Sequence, residues 1–268
     1  MGGWRPWRAG ALAVLAGLFV APAAALAGEP VRFAAAFSEG ARLGRSTAVS
    51  VALRVDPRLP PVTEVRILTA AGVSLSDSRL GAVSCVRPAI EIAEIMNPVQ
   101  PERRCAANSL IGTGTATAGL VLGEGETLFG AARVALQAGA PVEDKPGLVV
   151  MVETYNPARM QLTYVGYLYV PPPAFGLGLA IKLPPMPHPP FGAPIALSTL
   201  NLTVGGPSIT YTKLAHSRRV AYRPGGIPLP GVCPRHGFRF RAIVHFADAS
   251  RRTADAVVPC PRGPSRHS

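Results

Sequence analysis

Five histidines, four cysteines and two pairs of closely spaced carboxylates are the groups in this 268-residue chain whose chemistry could define a function. Of His188, His216, His236, His245 and His267, the first stands in a proline run and the last in the terminal tail. A Ser/His/Asp relay needs neighbours in space rather than in sequence, so the residue list alone leaves one open, but no Gly-x-Ser-x-Gly elbow occurs. Glu91 with Glu94, and Glu124 with Glu126, are the type of pair a glycosidase uses; a solvated helix face and a turn account for them more simply. Cys233-Pro-Arg-His236 lacks the second ligand pair of a zinc site, and no Cys-x-x-Cys is present. Gly112-Thr-Gly114 leads into β-branched residues rather than a helix, so it reads as a turn and not as a phosphate cradle. The inventory points to a chain without catalytic residues, metal ligands or a cofactor; a hydrolase with dispersed catalytic residues is the alternative.

The cysteines Cys85, Cys105, Cys233 and Cys260 allow three pairings, and local geometry selects one. Phe238, Phe240, Ala242, Val244 and Phe246 alternate with Arg239, Arg241, Ile243 and His245, then Ala247-Asp248-Ala249-Ser250 turns and Thr253 to Val258 returns. Cys233 and Cys260 flank the open ends of that hairpin and should pair, leaving Cys85 to Cys105 as a local staple. Disulfides imply an oxidising compartment.

Charge is unevenly spread. Residues 28–212 hold 14 Lys/Arg and 13 Asp/Glu, whereas residues 213–268 hold 11 and 2. Alternation puts Arg239 and Arg241 on the face opposite the phenylalanines. A three-residue turn sets Arg241 across from Asp255, which leaves Arg239, Arg251 and Arg252 as the candidate anion-binding residues. Arg218, Arg219 and Arg223 add to the basic region just before the hairpin. The expected partner is an extracellular polyanion such as a cell-wall polymer, held by screened electrostatics rather than by sequence-specific nucleic-acid readout. A second surface, Thr163 to Tyr169, places Tyr167 and Tyr169 on one face for sugar stacking or for rim packing, with rim packing the simpler reading.

The elements that must position these groups are strands. Glycine (28) and proline (29) make up about a fifth of the chain, and charged residues only 16%, which disfavours both a helical bundle and a charge-rich disordered chain. Thr47 to Val55 alternates cleanly, and Val62 to Thr69 is its expected partner. Further runs at Thr115 to Leu122, Phe129 to Gln137, Leu148 to Tyr155, Met160 to Val170, Leu177 to Leu183 and Leu197 to Val204 continue the pattern. One short helix, Pro88 to Met96, is expected inside the first cysteine loop. Gly139 to Gly147 reads as a polar joint, and Pro184 to Pro194 as a stiff crossover. The expected fold is all-β: an N-terminal antiparallel, Ig-like β-sandwich (28–138), a joint (139–147), a second sandwich ending in the disulfide-bounded hairpin (148–262) and a disordered tail (263–268).

Residues 1–27 carry Arg5 and Arg8, the apolar run Gly10 to Val20 and Ala25-Leu26-Ala27, the three parts of an export signal cleaved after Ala27. Glu29 stands where a lipoprotein would need cysteine, so a released, extracellular or wall-associated product is expected, with no membrane span after cleavage.

The run Cys85…Cys105-Ala-Ala-Asn-Ser109-Leu-Ile111-Gly112-Thr-Gly114-Thr-Ala116, with Cys233-Pro-Arg-His-Gly-Phe238…Phe246-Ala-Asp248…Val258-Pro-Cys260, resembles uncharacterised secreted proteins of high-GC Gram-positive bacteria. The resemblance covers most of the mature chain and implies no activity. Ala249 stands where that family has glycine after the turn aspartate, and Ala106 where it has proline. The function expected is that of a secreted, non-catalytic, envelope-associated binding or structural module.

Overall fold

Alternating apolar residues give strands of the computed structural model such as Val49–Val55 and Phe238–Phe246 one inward and one outward face. The structure describes residues 29–75, 78–85, 105–121, 127–154, 160–183 and 195–261. The export signal, the helix expected at Pro88 to Met96, the run Pro184 to Pro194 and the tail 263–268 lie outside these residues.

Fifteen strands are present among the described residues: β1 (Val31–Phe37), β2 (Ser46–Thr47), β3 (Val49–Val55), β4 (Val62–Ala70), β5 (Leu110–Val121), β6 (Thr127–Ala138), β7 (Gly147–Thr154), β8 (Met160–Tyr169), β9 (Phe175–Lys182), β10 (Ile195–Val204), β11 (Tyr211–Ala215), β12 (Arg218–Tyr222), β13 (Ile227–Pro228), β14 (Phe238–Phe246) and β15 (Arg251–Val258). Eleven form one sheet in the order β1-β3-β10-β5-β6-β7-β8-β9-β4-β14-β15, while β11-β12 and β13-β2 make two small ribbons. All ten ladders of the large sheet are antiparallel. The two edge strands lie alongside one another, so the sheet is nearly closed as a barrel. Curling is the expected response of a twisted sheet this wide.

This all-β architecture replaces the two expected sandwiches. The segment 139–147 is the connection of a hairpin: Ala138 faces Leu148 in the β6–β7 ladder, and Gly139 N–H donates to the Gly147 carbonyl at 2.8 Å. Glycine and proline mark a hairpin loop and a domain joint alike, and only the ladder separates them. The expected pairing of β3 with β4 also fails. β3 lies between β1 and β10, and β4 between β9 and β14, because the hydrophobic period fixes faces but not neighbours.

The Gly112-Thr-Gly114 segment is not a turn either; it lies inside β5. A Cβ on Gly112 would stand 2.7 Å from the Thr203 carbonyl oxygen, and one on Gly114 would overlap that of Asn201. The glycines let the backbone of β10 lie close against β5 along this part of their ladder. Ser109, just before β5, is fully buried, and its hydroxyl donates to the Ala106 carbonyl at 2.6 Å.

The inner face is apolar. Leu53, Val65, Leu136, Leu148, Phe238, Phe240 and Val244 are each at most 2% exposed. The loop residue Val73, together with Ile227 of β13, closes over this core. A cavity of about 40 Å³ remains, lined by Val49, Ile67, Leu136, Leu202, Ile227 and Phe240 among others. Small-molecule sites occupy roughly 300–1,000 Å³, so this cavity is too small to be one. Outside, Arg32, Arg54, Thr115, Arg133 and Asn201 are exposed. Apolar inside and polar outside is the reverse of the alternation a membrane-spanning barrel requires. Among the described residues no helix is long and apolar enough to cross a membrane.

The closure has an unusual geometry. Ten successive antiparallel pairings leave β1 and β15 pointing the same way, so an antiparallel ladder cannot join them. No ladder joins them among the described residues. Inside the barrel, Phe37 of β1 packs edge-on against Phe238 at 5.0 Å and Phe240 at 6.0 Å, both on β14, so ring contacts tie β1 to the final hairpin.

Candidate anion-binding surface

The β14–β15 hairpin carries the sequence-predicted basic face. Phe238, Phe240, Ala242, Val244 and Phe246 point inward, at most 3% exposed, which forces Arg239, Arg241, Ile243 and His245 outward. The register is the one the sequence implied: Arg241 faces Asp255 and Phe238 faces Val258. The turn is a three-residue loop. Phe246 N–H donates to Ser250 O at 3.0 Å, Ala249 N–H to Phe246 O at 3.1 Å, and Ala249 sits at φ 64°. The left-handed position glycine would occupy is therefore taken by alanine without loss of the turn.

Both disulfides pair as local geometry indicated, Cys85 with Cys105 and Cys233 with Cys260. Their Cα separations are 5.1 and 5.9 Å, within the usual span of a bridge. The Cys233 sulfur is thereby taken from any metal, and among the described residues no three His, Cys, Asp or Glu side chains gather around a metal-sized site.

Arg241 grips Asp255 with a two-point fork, Nε to Oδ1 at 2.6 Å and Nη2 to Oδ2 at 2.9 Å. Arg239, expected to be free, donates to the same carboxylate, Nη2 to Oδ2 at 2.7 Å. Residues two apart on a strand share a face, and the long guanidinium reaches along it, so one aspartate serves two arginines. Hydrogen bonds from Arg241, then Arg239, hold the Asp255 carboxyl down at about 2. Both guanidinium groups also stand over the Phe175 ring, at 6.0 Å for Arg239 and 5.3 Å for Arg241. The cluster keeps one net positive charge.

Arg251 and Arg252 are exposed beyond the reach of that aspartate. Their acidic neighbour is Asp248, which accepts from the Ser250 hydroxyl at 2.6 Å and its N–H at 2.9 Å. Those bonds, with a smaller attraction from Arg252, lower the Asp248 carboxyl below its ordinary range.

The other marked residues resolve differently. His245 Nε2 lies 4.0 Å from Glu64 Oε2, but Arg66 already holds that oxygen at 2.9 Å. The nearby Thr63 hydroxyl donates to the His245 backbone carbonyl rather than meeting the imidazole. The pair lies on the outer face of the sheet. His216 and His236 are exposed; His188, His267, Glu91, Glu94, Glu124 and Glu126 lie outside the described residues. Tyr167 and Tyr169 share the outer side of β8. Lys145 stands 4.7 Å over the first ring and Arg66 5.9 Å over the second, and the Tyr169 ring lies across Gly178. Tyr164 turns inward, where burial pushes its hydroxyl up to about 12.

The sequence reading did not mark β11–β12 as strands. Their signal was present: a short alternation on each side of His216-Ser217, both residues at positive φ (49° and 62°), as a two-residue hairpin turn demands.

No protein-family model, no curated protein and no solved structure matches the chain.

Proposed function

We propose that the chain is exported and acts outside the cell as a non-catalytic, envelope-associated binding module, one of the secreted proteins its cysteine-bounded motifs resemble. Its ligand is an anionic envelope polymer, met at the turn end of the β14–β15 hairpin, where Arg251 continues the outer face and Arg252, opposite Val244, projects from the other side. The observation that carries this reading is the pair of exposed arginines, Arg251 and Arg252, left over after Asp255 has been shared by Arg239 and Arg241. The setting supports it: not one Asp or Glu occurs between Glu153 and Asp248. Both arginines are exposed, so the interaction is contact with a surface, weak per charge and screened by salt.

Retention of the protein on immobilised heparin or teichoic acid tests this at low and high salt. The expectation is salt-sensitive retention that Arg251→Ser/Arg252→Ser weakens without changing the circular dichroism spectrum. Equal retention of wild type and variant at low salt would overturn it.

A further inference from the structure

A second basic feature lies away from that hairpin and combines charge with exposed aliphatic surface. β11 and β12 form a ribbon of their own, and among the described residues no ladder joins it to another strand. Its root is fixed. Tyr211 is 0% exposed; its hydroxyl donates to the Leu110 carbonyl and accepts from Gly81 N–H at 2.8 Å. Asn108 then brackets Thr212, its Nδ2 donating to the Thr212 carbonyl at 2.7 Å and its Oδ1 accepting from Thr212 N–H at 2.8 Å. Beyond this root every residue from Lys213 to Ala221 is exposed except Ala215, which is half-buried.

The exposed part has a composition that water alone does not favour. Leu214 is 74% exposed and Val220 42%. In the ladder Leu214 faces Arg219 and Lys213 faces Val220, so each side of the ribbon pairs an aliphatic residue with a cation. Lys213, Arg218, Arg219 and, just beyond, Arg223 meet no carboxylate among the described residues. Charge complementarity chooses the occupant. A second copy of the ribbon would set cations against cations. A hydrophilic polyanion would satisfy the arginines and leave Leu214 in water. A lipid surface bearing anionic headgroups answers both, with phosphate at the guanidinium level and acyl chain beneath it for the Leu214 side chain.

We propose that the β11–β12 ribbon is a membrane-docking finger that seats Leu214 in the interface of an anionic lipid bilayer while Arg219 on the same face, and Lys213, Arg218 and Arg223 beside it, hold its headgroups. This site shares no residue with the β14–β15 hairpin and does not rest on the reading given for it. Juxtamembrane cations each contribute about fivefold to partitioning, the equivalent of roughly 1 kcal/mol. Arg218→Ser/Arg219→Ser should therefore weaken binding roughly 25-fold, and removal of the Leu214 side chain about tenfold.

The chain from Glu29 onward carries every described strand and both disulfides, and the two tryptophans, Trp4 and Trp7, precede it. Leu214→Trp in that chain is thus a sole tryptophan. With phosphatidylcholine vesicles containing about a third phosphatidylglycerol, its emission should shift to the blue and resist acrylamide quenching; with phosphatidylcholine alone it should do neither. The shift should vanish in the Arg218→Ser/Arg219→Ser background and in high salt. Co-sedimentation of Leu214→Ser with the same anionic vesicles gives a second measurement, expected about tenfold weaker than wild type. Wild-type sedimentation by Leu214→Ser would overturn the proposal. So would a blue shift without vesicles that grows with protein concentration, which would make a second copy the occupant. An unshifted tryptophan in a protein that still binds heparin would also overturn it, leaving the β14–β15 reading in place.

Discussion

Ala249 holds a backbone conformation that costs an L-residue roughly 1–2 kcal/mol and glycine little. Nothing in the loop relieves that cost except the hydrogen bonds on either side of it, so Ala249→Gly should raise stability by roughly 1 kcal/mol, read as a higher urea midpoint at unchanged slope. Asp255 offers a complementary test. Its carboxyl is lowered to about 2 in the fold against roughly 3.9 in an unfolded chain. A depressed folded value means the contribution is fully present above about pH 4 and is lost as pH falls through 2. Because the carboxylate is partly exposed, at 37% of its side-chain surface, the amount is at the surface-pair level, under about 1 kcal/mol. Asp255→Asn removes the same clamp at neutral pH and releases two arginine forks, so heparin retention should rise while the urea midpoint hardly moves. At this scale the sequence was informative where partners are local. The Arg241 to Asp255 register and both cysteine pairings follow from strand alternation around one turn. That Arg239 bends to the same carboxylate does not, because a long side chain's reach along a face has no counterpart in the periodicity.

Among the elements, the hairpin is supported three times over: by its ladder, by the buried phenylalanines and by the Cys233–Cys260 bridge. The bridge closes 27 positions, for which the chain-entropy model gives roughly 3–4 kcal/mol. Cys233→Ser/Cys260→Ser should lose about that much in guanidinium unfolding yet keep its strand spectrum. Phe240→Ala should cost more per atom removed, about 3–5 kcal/mol, since the ring is wholly buried and packs against Phe37. Strands such as β3 and β14 were legible because one face of each is wetter than the other, so the period of two survives in the sequence. Which strand lies beside which was not. β10 enters between β3 and β5 from more than seventy residues away, and nothing in Leu200 or Leu202 names its neighbour. The glycines of β5 were misread for a related reason: the close approach of Thr203 and Asn201 that requires them is tertiary.

At the scale of the whole molecule, the barrel would separate stability from the binding proposed for it. Its interior is occupied by aliphatic and phenylalanine side chains, and both surfaces assigned a role lie outside it, at the turn end of the β14–β15 hairpin and on the β11–β12 ribbon. Substitutions such as Arg252→Ser or Leu214→Ser should therefore change partitioning and retention with little change in unfolding midpoint, and core substitutions should do the opposite. A linear salt dependence of heparin retention whose slope falls in Arg251→Ser/Arg252→Ser is the expected signature of such a division.

The strand order also dictates when the molecule can be finished. β4 is made early but waits for β14, and β1, the first strand, waits for β15, the last. A nascent chain that has reached residue 204 has formed most of its ladders yet leaves two strand edges bare, the outer edges of β1 and β4, each able to recruit a strand from another molecule. The final hairpin, stapled at its base, then docks as a unit and fills the gap. Synthesis and any passage across a membrane in the N-to-C direction would therefore carry an open, adhesive intermediate until the last sixty residues emerge, and a chain truncated before Phe238 should accumulate as aggregate rather than as a smaller barrel.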